Sequence, residues 1–182
     1  ILLFTKHNLK IFDIEKIPTH GGSLRVYVSH DKSKFKIKKS VKKIIDDEYN
    51  FGLTKVKTYI DFRIAVEKIK KETKDFFEKA KIEKKYIVGY GAPAKGNTFL
   101  NYCGINQNDI KFTVDNNIIK QNTLLPGTKI PVYESAQLEN IQADYIFILP
   151  WNIKEEIIKQ VKNKLNYKVK FITAIPKLKI FS

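Results

Sequence analysis

Tyr86-Ile87-Val88-Gly89-Tyr90-Gly91-Ala92-Pro93-Ala94-Lys95-Gly96-Asn97-Thr98 reads as a short apolar strand, a glycine-rich turn and the start of a helix. That order leaves bare backbone N–H groups at a helix N-terminus, where phosphates or a carboxylate can be held. The stretch therefore points to ligand binding, and it marks the first strand of an alternating pattern. Downstream, Ile110–Val114 reads as a strand ending at Asp115, and Lys129–Tyr133 as another, with Leu125-Pro126-Gly127 between them. Ser135 is placed to cap a short helix. Tyr145–Leu149 is a continuous apolar run, as in a strand covered on both faces. Asn152 is placed to cap a helix reaching about Leu165, and Val169–Ile172 closes as a strand. Such alternation implies a parallel sheet with helices on both sides.

Upstream, Thr54–Lys81 is the longest regular segment. Tyr59, Phe62, Val66, Ile69, Thr73, Phe76 and Ala80 follow a 3-4-3-4 spacing that lines one helix face, with Thr54 as N-cap. A helix laid across a neighbouring layer explains this short stripe better than a coiled coil, since it includes Thr73. Ahead of it, Leu9–Ile14 and Ser23–Val28 read as strands separated by Pro18-Thr19-His20-Gly21-Gly22, and a helix is expected over Ser40–Tyr49. The fold class expected is α/β: a Rossmann-like parallel sheet with flanking helices, preceded by a strand pair and a long amphipathic helix.

The chain has 182 residues, 43% of them hydrophobic, enough for a packed core. No apolar run approaches the roughly 18 residues of a membrane span, and no secretory leader is recognisable. One cysteine, Cys103, excludes an internal disulfide and suits a reducing compartment, so a cytoplasmic location is expected; buried packing is its expected role. The chain opens at Ile1 and has no methionine, which reads as a fragment of a longer polypeptide. The net charge of +15 is uneven: residues 1–85 carry 22 basic and 12 acidic groups, residues 86–182 carry 12 and 7. A basic surface raises nucleic acid as a partner. Only Arg25 and Arg63 are arginine, however, and the lysines alternate with glutamates on helices, so attraction to anionic metabolites is preferred.

In an open parallel sheet, ligands lie outside the carboxyl ends of the strands. Here those ends carry Gly89–Gly96, Asp115-Asn116-Asn117 and Pro150-Trp151-Asn152, and Asp115 follows Gly91 by 24 positions, near the offset of a ribose-binding acid. Two phosphate-loop patterns nearly fit. The dinucleotide pattern wants a third glycine where Ala94 stands, and Pro93 removes a donor. The P-loop pattern wants lysine where Asn97 stands, which argues against nucleotide hydrolysis. What remains is a loop able to hold a phosphate or sugar nucleotide, with Lys95 as a point charge, or a glycine turn that serves close strand–helix packing. His20, beside two glycines, is a candidate acid or base or a histidine satisfied in a turn. His7 and His30 lack such context, and no cluster has metal-ligand spacing.

Gly89–Thr98 followed by Leu100-Asn101-Tyr102-Cys103-Gly104-Ile105 resembles the C-terminal domain of S-adenosylmethionine-dependent sugar C-methyltransferases. Lys120-Gln121, Leu125-Pro126-Gly127, Ile148–Asn152 and Pro18–Arg25 continue the likeness over nearly the whole chain. The resemblance implies a parent protein with a zinc-binding N-terminal domain, a middle domain binding the methyl donor, and this last domain, acting on a carbon of a nucleotide-linked deoxyketosugar. It implies that residues 1–53 end the methyltransferase core, that 54–85 form a linking helix, and that 86–182 form the Rossmann-like domain. The zinc cysteines, donor loop and base-bearing segment of that family are absent here, so S-adenosylmethionine is expected in the rest of the parent and no cofactor or metal in this chain. The roles implied are positioning of the nucleotide sugar by Gly91, Lys95, Asn97, Asp115 and Asn152, with His20 facing the cleft as the catalytic candidate. A fragment inactive alone is the expectation. The alternatives are a non-catalytic module binding a sugar nucleotide or anionic metabolite, half of an NAD-dependent oxidoreductase, and a nucleic-acid binder.

Overall fold

The computed structural model describes residues 1–182, which form two compact units, Ile1–Arg63 and Ile64–Ser182. The first unit is small and thinly packed. A one-turn helix, α1 (Leu2–Lys6), leads into strands β1 (Leu9–Ile17) and β2 (Ser23–His30), and helix α2 (Lys39–Phe51) follows. The two strands pair antiparallel, Leu9 opposite His30 and Ile17 opposite Ser23, with a bulge between Ile11 and Asp13. Both strands run longer than their alternation indicates. Asp13 at the bulge accepts from Ser40 Oγ (2.6 Å) and Lys38 Nζ (2.6 Å), which ties the start of α2 to the hairpin. Lys38, then Ser40, hold its carboxyl below the ordinary carboxylate value. Val41 and Ile44 are the only buried hydrophobic residues of this unit, while Phe35, Ile37, Tyr49, Phe51 and Phe62 stay exposed. A two-stranded hairpin under one helix is marginal on its own.

Helix α3 (Val56–Ile82) begins two residues after Thr54, which does not cap it. Thr58 and Tyr59 make side-chain bonds at this end instead, donating to the Gly52 carbonyl at 2.8 Å and the Leu53 carbonyl at 2.6 Å. Within the second unit, α3 buries Thr73, Phe77 and Ala80, with Ile69 and Phe76 packed beside them. The expected stripe therefore holds from Ile69 onward, with Phe77 taking the buried place next to Phe76.

The second unit carries a seven-stranded sheet. Its elements are β3 (Ile87–Tyr90), α4 (Ala94–Cys103), β4 (Thr113–Val114), β5 (Thr123–Leu124), β6 (Pro131–Tyr133), β7 (Tyr145–Ile148), α5 (Lys154–Lys162), β8 (Lys170–Thr173) and β9 (Lys179–Phe181). Strand order is β5-β6-β4-β3-β7-β8-β9. The central five strands are parallel, and β5 and β9 add an antiparallel strand at each edge. Alternate residues face opposite layers, as a pleated strand requires. Ile87 and Phe147 pack with Phe77, Leu100 and Cys103 from α3 and α4. Val88, Ile146 and Ile148 pack with Ile157 and Val161 from α5 on the other face. The α/β architecture follows from that division.

Three local expectations shift. The strand expected from Ile110 shortens to Thr113–Val114, because the Ile110 amide closes a turn onto the Asn106 carbonyl at 3.0 Å. The segment after Ser135 is a 3-10 helix, Ser135–Asn140, without a side-chain cap. Helix α5 starts at Lys154 behind Ile153, so Asn152 does not cap it; its side chain serves another partner, described below.

Candidate functional site

The parallel strands β6, β4 and β3 proceed in one direction from β3, and β7 and β8 lie on the other side. The order in which successive strands are added therefore reverses between β3 and β7, although the two run parallel, which makes their carboxyl ends the natural crevice. Gly91 sits there with φ +86°, and a side chain on it would lie 2.6 Å from Pro150 Cδ, the residue pair after β7. Gly96 is similarly constrained: a Cβ would approach Leu149 Cβ to 2.7 Å. Both glycines thus allow the β3–α4 turn to press against the end of β7. Close packing is one real function of the glycine loop.

The amides of this turn divide into two sets. The Gly91 N–H donates to the Val114 carbonyl at 2.6 Å, and the Ala92 N–H donates to Asp115 Oδ2 at 2.7 Å. These are committed internally, and Pro93 has none. The Asn97 N–H begins the helix ladder onto the Pro93 carbonyl at 3.0 Å. Ala94, Lys95 and Gly96 form the first turn of α4, whose N-cap position is Pro93 and which has no side-chain cap. Their N–H groups point along the positive end of the helix dipole. The bend thus leaves the first-turn amides of Ala94, Lys95 and Gly96, with Gly96 itself buried.

Lys95 belongs to this turn. Its ammonium donates to Asn152 Oδ1 and lies 4.8 Å from the centroid of the Trp151 ring. Trp151 in turn meets Phe99 edge-on, with centroids 6.3 Å apart. A flexible cation is thereby held at a defined place, by residues that follow β7. The structure thus brings Lys95 to Asn152, and Gly91 to Pro150 two residues before it; of the three, Gly91 alone lines the cavity described below. Trp151 as a seat for Lys95 is a feature that sequence reading missed; its place right after an apolar strand end was the available signal.

Asp115, at the end of β4, takes three donors: Ala92 N–H on Oδ2, Asn117 N–H on Oδ1 (2.8 Å) and Lys120 Nζ at 3.5 Å. Lys120 also donates to the Ala92 carbonyl at 2.9 Å, and the Gln121 side chain donates to the Asp115 carbonyl. Asp115 is therefore the clamp that fixes the β3 loop to the β4 loop. Asn97 lies on the first turns of α4, half-buried, and its carbonyl accepts from Asn101 Nδ2 at 2.9 Å. Between these loops lies a cavity of about 260 Å³, lined by Tyr90, Gly91, Pro93, Asp115, Asn116, Lys120, Pro150 and residues of α5. A larger open cleft, about 1140 Å³, lies at the opposite, amino-terminal edge of β3, β7 and β8 around Lys85, Asp144 and Lys170. The smaller cavity is the better candidate, because it sits where open α/β sheets hold ligands.

His20 belongs to the first unit. It is exposed, in a 3-10 turn (Thr19–Gly21) between β1 and β2, with φ 56° in the left-handed region. Cys103, the last residue of α4, is buried, and burial pushes its thiol up to about 11. No cluster of His, Cys, Asp and Glu has the arrangement of a metal site. No helix is long and apolar enough to cross a membrane.

Residues 18–176 match the model of a family described as the C-methyltransferase C-terminal domain. The chain belongs to that family. Over 180 residues it is also 30% identical to C-methyltransferase NovU of Streptomyces niveus. That alignment covers 99% of this chain and 43% of the relative, so this C-methyltransferase C-terminal domain spans less than half the length of NovU. Every element of the crevice, from Gly91 to Asn152, falls inside the matched segment.

Proposed function

We propose that this chain is the part of an S-adenosylmethionine-dependent C-methyltransferase that positions a nucleotide-linked deoxyketosugar. The observation that carries the reading is the first turn of α4, without a side-chain cap, together with a Lys95 ammonium held by Asn152 and Trp151. Three amides and a seated cation suit a diphosphate, which is the anionic link of a nucleotide sugar. Gly91 lets the turn approach the ligand, Asn97 is proposed as a further polar contact from α4, and Asp115 offers the acceptor position that its three donors leave free to a hydroxyl. The same positive lip repels a sulfonium. The methyl donor is accordingly assigned to the remainder of the parent protein.

The thin core of the first unit supports the expected division of the chain, in which residues 1–53 complete a methyltransferase core and 54–85 link it to the last domain. His20, exposed on its turn, is proposed to face the sugar, where an imidazole can take or give a proton beside the keto group. Methyl transfer itself then needs the parent, and the fragment alone is inactive. A cytoplasmic location is proposed from the single reduced, buried Cys103.

Calorimetric titration of the full chain with thymidine diphosphate, alongside the Lys95→Met variant, tests the reading. Binding that weakens about tenfold in the variant, and weakens further with salt, is expected. Equal binding by both proteins would remove Lys95 and the α4 turn from the site.

A further inference from the structure

The first unit concentrates positive charge in a way that the crevice of the second unit does not use. Between Asp31 and Ile44 the chain holds seven lysines and no acidic residue, and all seven lysines are exposed. Lys38 pairs with Asp13, and Lys43 is electrostatically coupled to Asp47, which Lys16 already engages at 2.9 Å. Lys32, Lys34, Lys36, Lys39 and Lys42 have no ion-pair partner.

Runs of like charge ordinarily repel one another and stay loose. This one is pinned along the hairpin. Lys10 Nζ donates to the Asp31 and Ser33 carbonyls at 2.8 and 2.9 Å, and Ser33 Oγ lies 2.8 Å from Ser29 Oγ. The Phe35 ring stacks on Phe12 with centroids 4.7 Å apart, and the Lys38 N–H donates to the Phe12 carbonyl at 2.8 Å. The flanking Asp31 carboxylate accepts the Lys32 N–H at 2.7 Å, and α2 opens with no acid in its first turn. Five unpaired ammonium groups are thus held along one short segment, at a cost in repulsion that an anionic partner relieves.

Two features choose among anionic partners. The run holds lysine and no arginine, whereas recognition of nucleic-acid phosphates and bases favours arginine's planar fork. It also exposes Phe35 and Ile37, 51% and 62% accessible, between the ammonium groups. Apolar side chains among lysines match a lipid surface, where the charges meet anionic headgroups and the apolar tips enter the acyl boundary. Attachment of this kind needs no spanning helix, and the chain has none.

We infer that Lys32–Lys43 is a docking surface for an anionic phospholipid bilayer, with Phe35 and Ile37 as its shallowly inserted residues. The surface is independent of the sugar-positioning crevice, and it holds the protein at a membrane face by an attraction that salt releases.

The test is co-sedimentation of the full chain with phosphatidylcholine vesicles, with and without one quarter phosphatidylglycerol. Binding is expected only to the anionic vesicles, and added salt should release it. A lysine near an anionic surface strengthens binding about fivefold, so Lys32→Gln, Lys34→Gln, Lys36→Gln and Lys39→Gln combined should weaken it about a hundredfold or more. Ile37→Ser should weaken it severalfold and leave the salt dependence unchanged. All five side chains are exposed, so both variants should melt like the unsubstituted chain. Glutamine at Lys71, Lys81, Lys164 and Lys177 of the second unit is the control for overall charge and should leave most of the binding intact. Equal weakening by the two lysine sets would assign the attraction to the whole +15 chain, and the inference fails. Absence of binding to the anionic vesicles overturns it outright. So does a single-stranded oligonucleotide that binds in salt where the vesicles do not, which would give the run to nucleic acid.

Discussion

Replacing Asp115 by alanine separates its structural role from any role toward a ligand. The carboxylate takes the Ala92 N–H at 2.7 Å and the Asn117 N–H at 2.8 Å, with Lys120 at 3.5 Å. Ala92 is buried, so its amide finds no water when Asp115 is shortened. An unsatisfied buried N–H costs roughly 1–3 kcal/mol, and a hydrogen bond to a charged group contributes about 1.5–3 kcal/mol. Asn117 is exposed and water replaces its partner at little cost. The second unit should therefore lose about 1.5–3 kcal/mol, since the two estimates describe largely the same bond and do not add. Urea unfolding followed by fluorescence reads this unit directly, because Trp151 is the only tryptophan and sits beside the loop. Asp115→Asn, which keeps an acceptor oxygen, should lose about half as much. A loss below about 0.5 kcal/mol in the alanine variant would refute the clamp, because that is the scale of an ordinary surface substitution.

Gly91→Ala combines a left-handed backbone with a Cβ 2.6 Å from Pro150 Cδ, so a loss of about 2–4 kcal/mol is expected by the same urea assay. Asp144 accepts the Tyr86 N–H at 2.8 Å and Lys85 Nζ at 3.0 Å, and these, the amide first, hold its carboxyl below the ordinary 3.8. A lowered folded-state value contributes stability that is full above 3.8 and lost as pH falls through the lowered value. Asp144→Asn should accordingly flatten the fall in melting temperature below about pH 4; an unchanged acid limb would contradict the pairing. Cys103, buried and with its thiol raised to about 11, should resist a thiol reagent at pH 8 until urea is added. Mass spectrometry reads the adduct, and labelling of the native protein at the rate of a small thiol would contradict that burial.

The sequence carried the elements whose signal is local. Tyr145–Ile148 is apolar throughout because both of its faces are covered, and the β3 turn announces itself by glycines that contact Pro150 and Leu149. Strands β5 and β9 were not legible. They are two or three residues long and largely exposed, so neither alternation nor apolar runs mark them, and only their neighbours in the sheet define them. The site shows the same division. Lys95 and Asp115 stood out by position, yet their partners depend on which strands lie side by side. The Asp115–Ala92 bond exists because β4 lies next to β3, and the Lys95–Asn152 contact because β7 lies on its other side. Asn152 resembled a helix cap in sequence since nothing local reveals that a lysine 57 positions earlier is within reach.

Amide chemical shifts of the isotopically labelled chain, titrated with a thymidine diphosphate-linked deoxyketosugar, give the most direct measurement of the site. The account predicts the largest movements at Ala94, Lys95 and Gly96, with smaller ones around Asn116 and Asn152. Saturable binding that leaves those three amides still, or that moves only the residues around Lys85 and Lys170 at the far edge of the sheet, would contradict it.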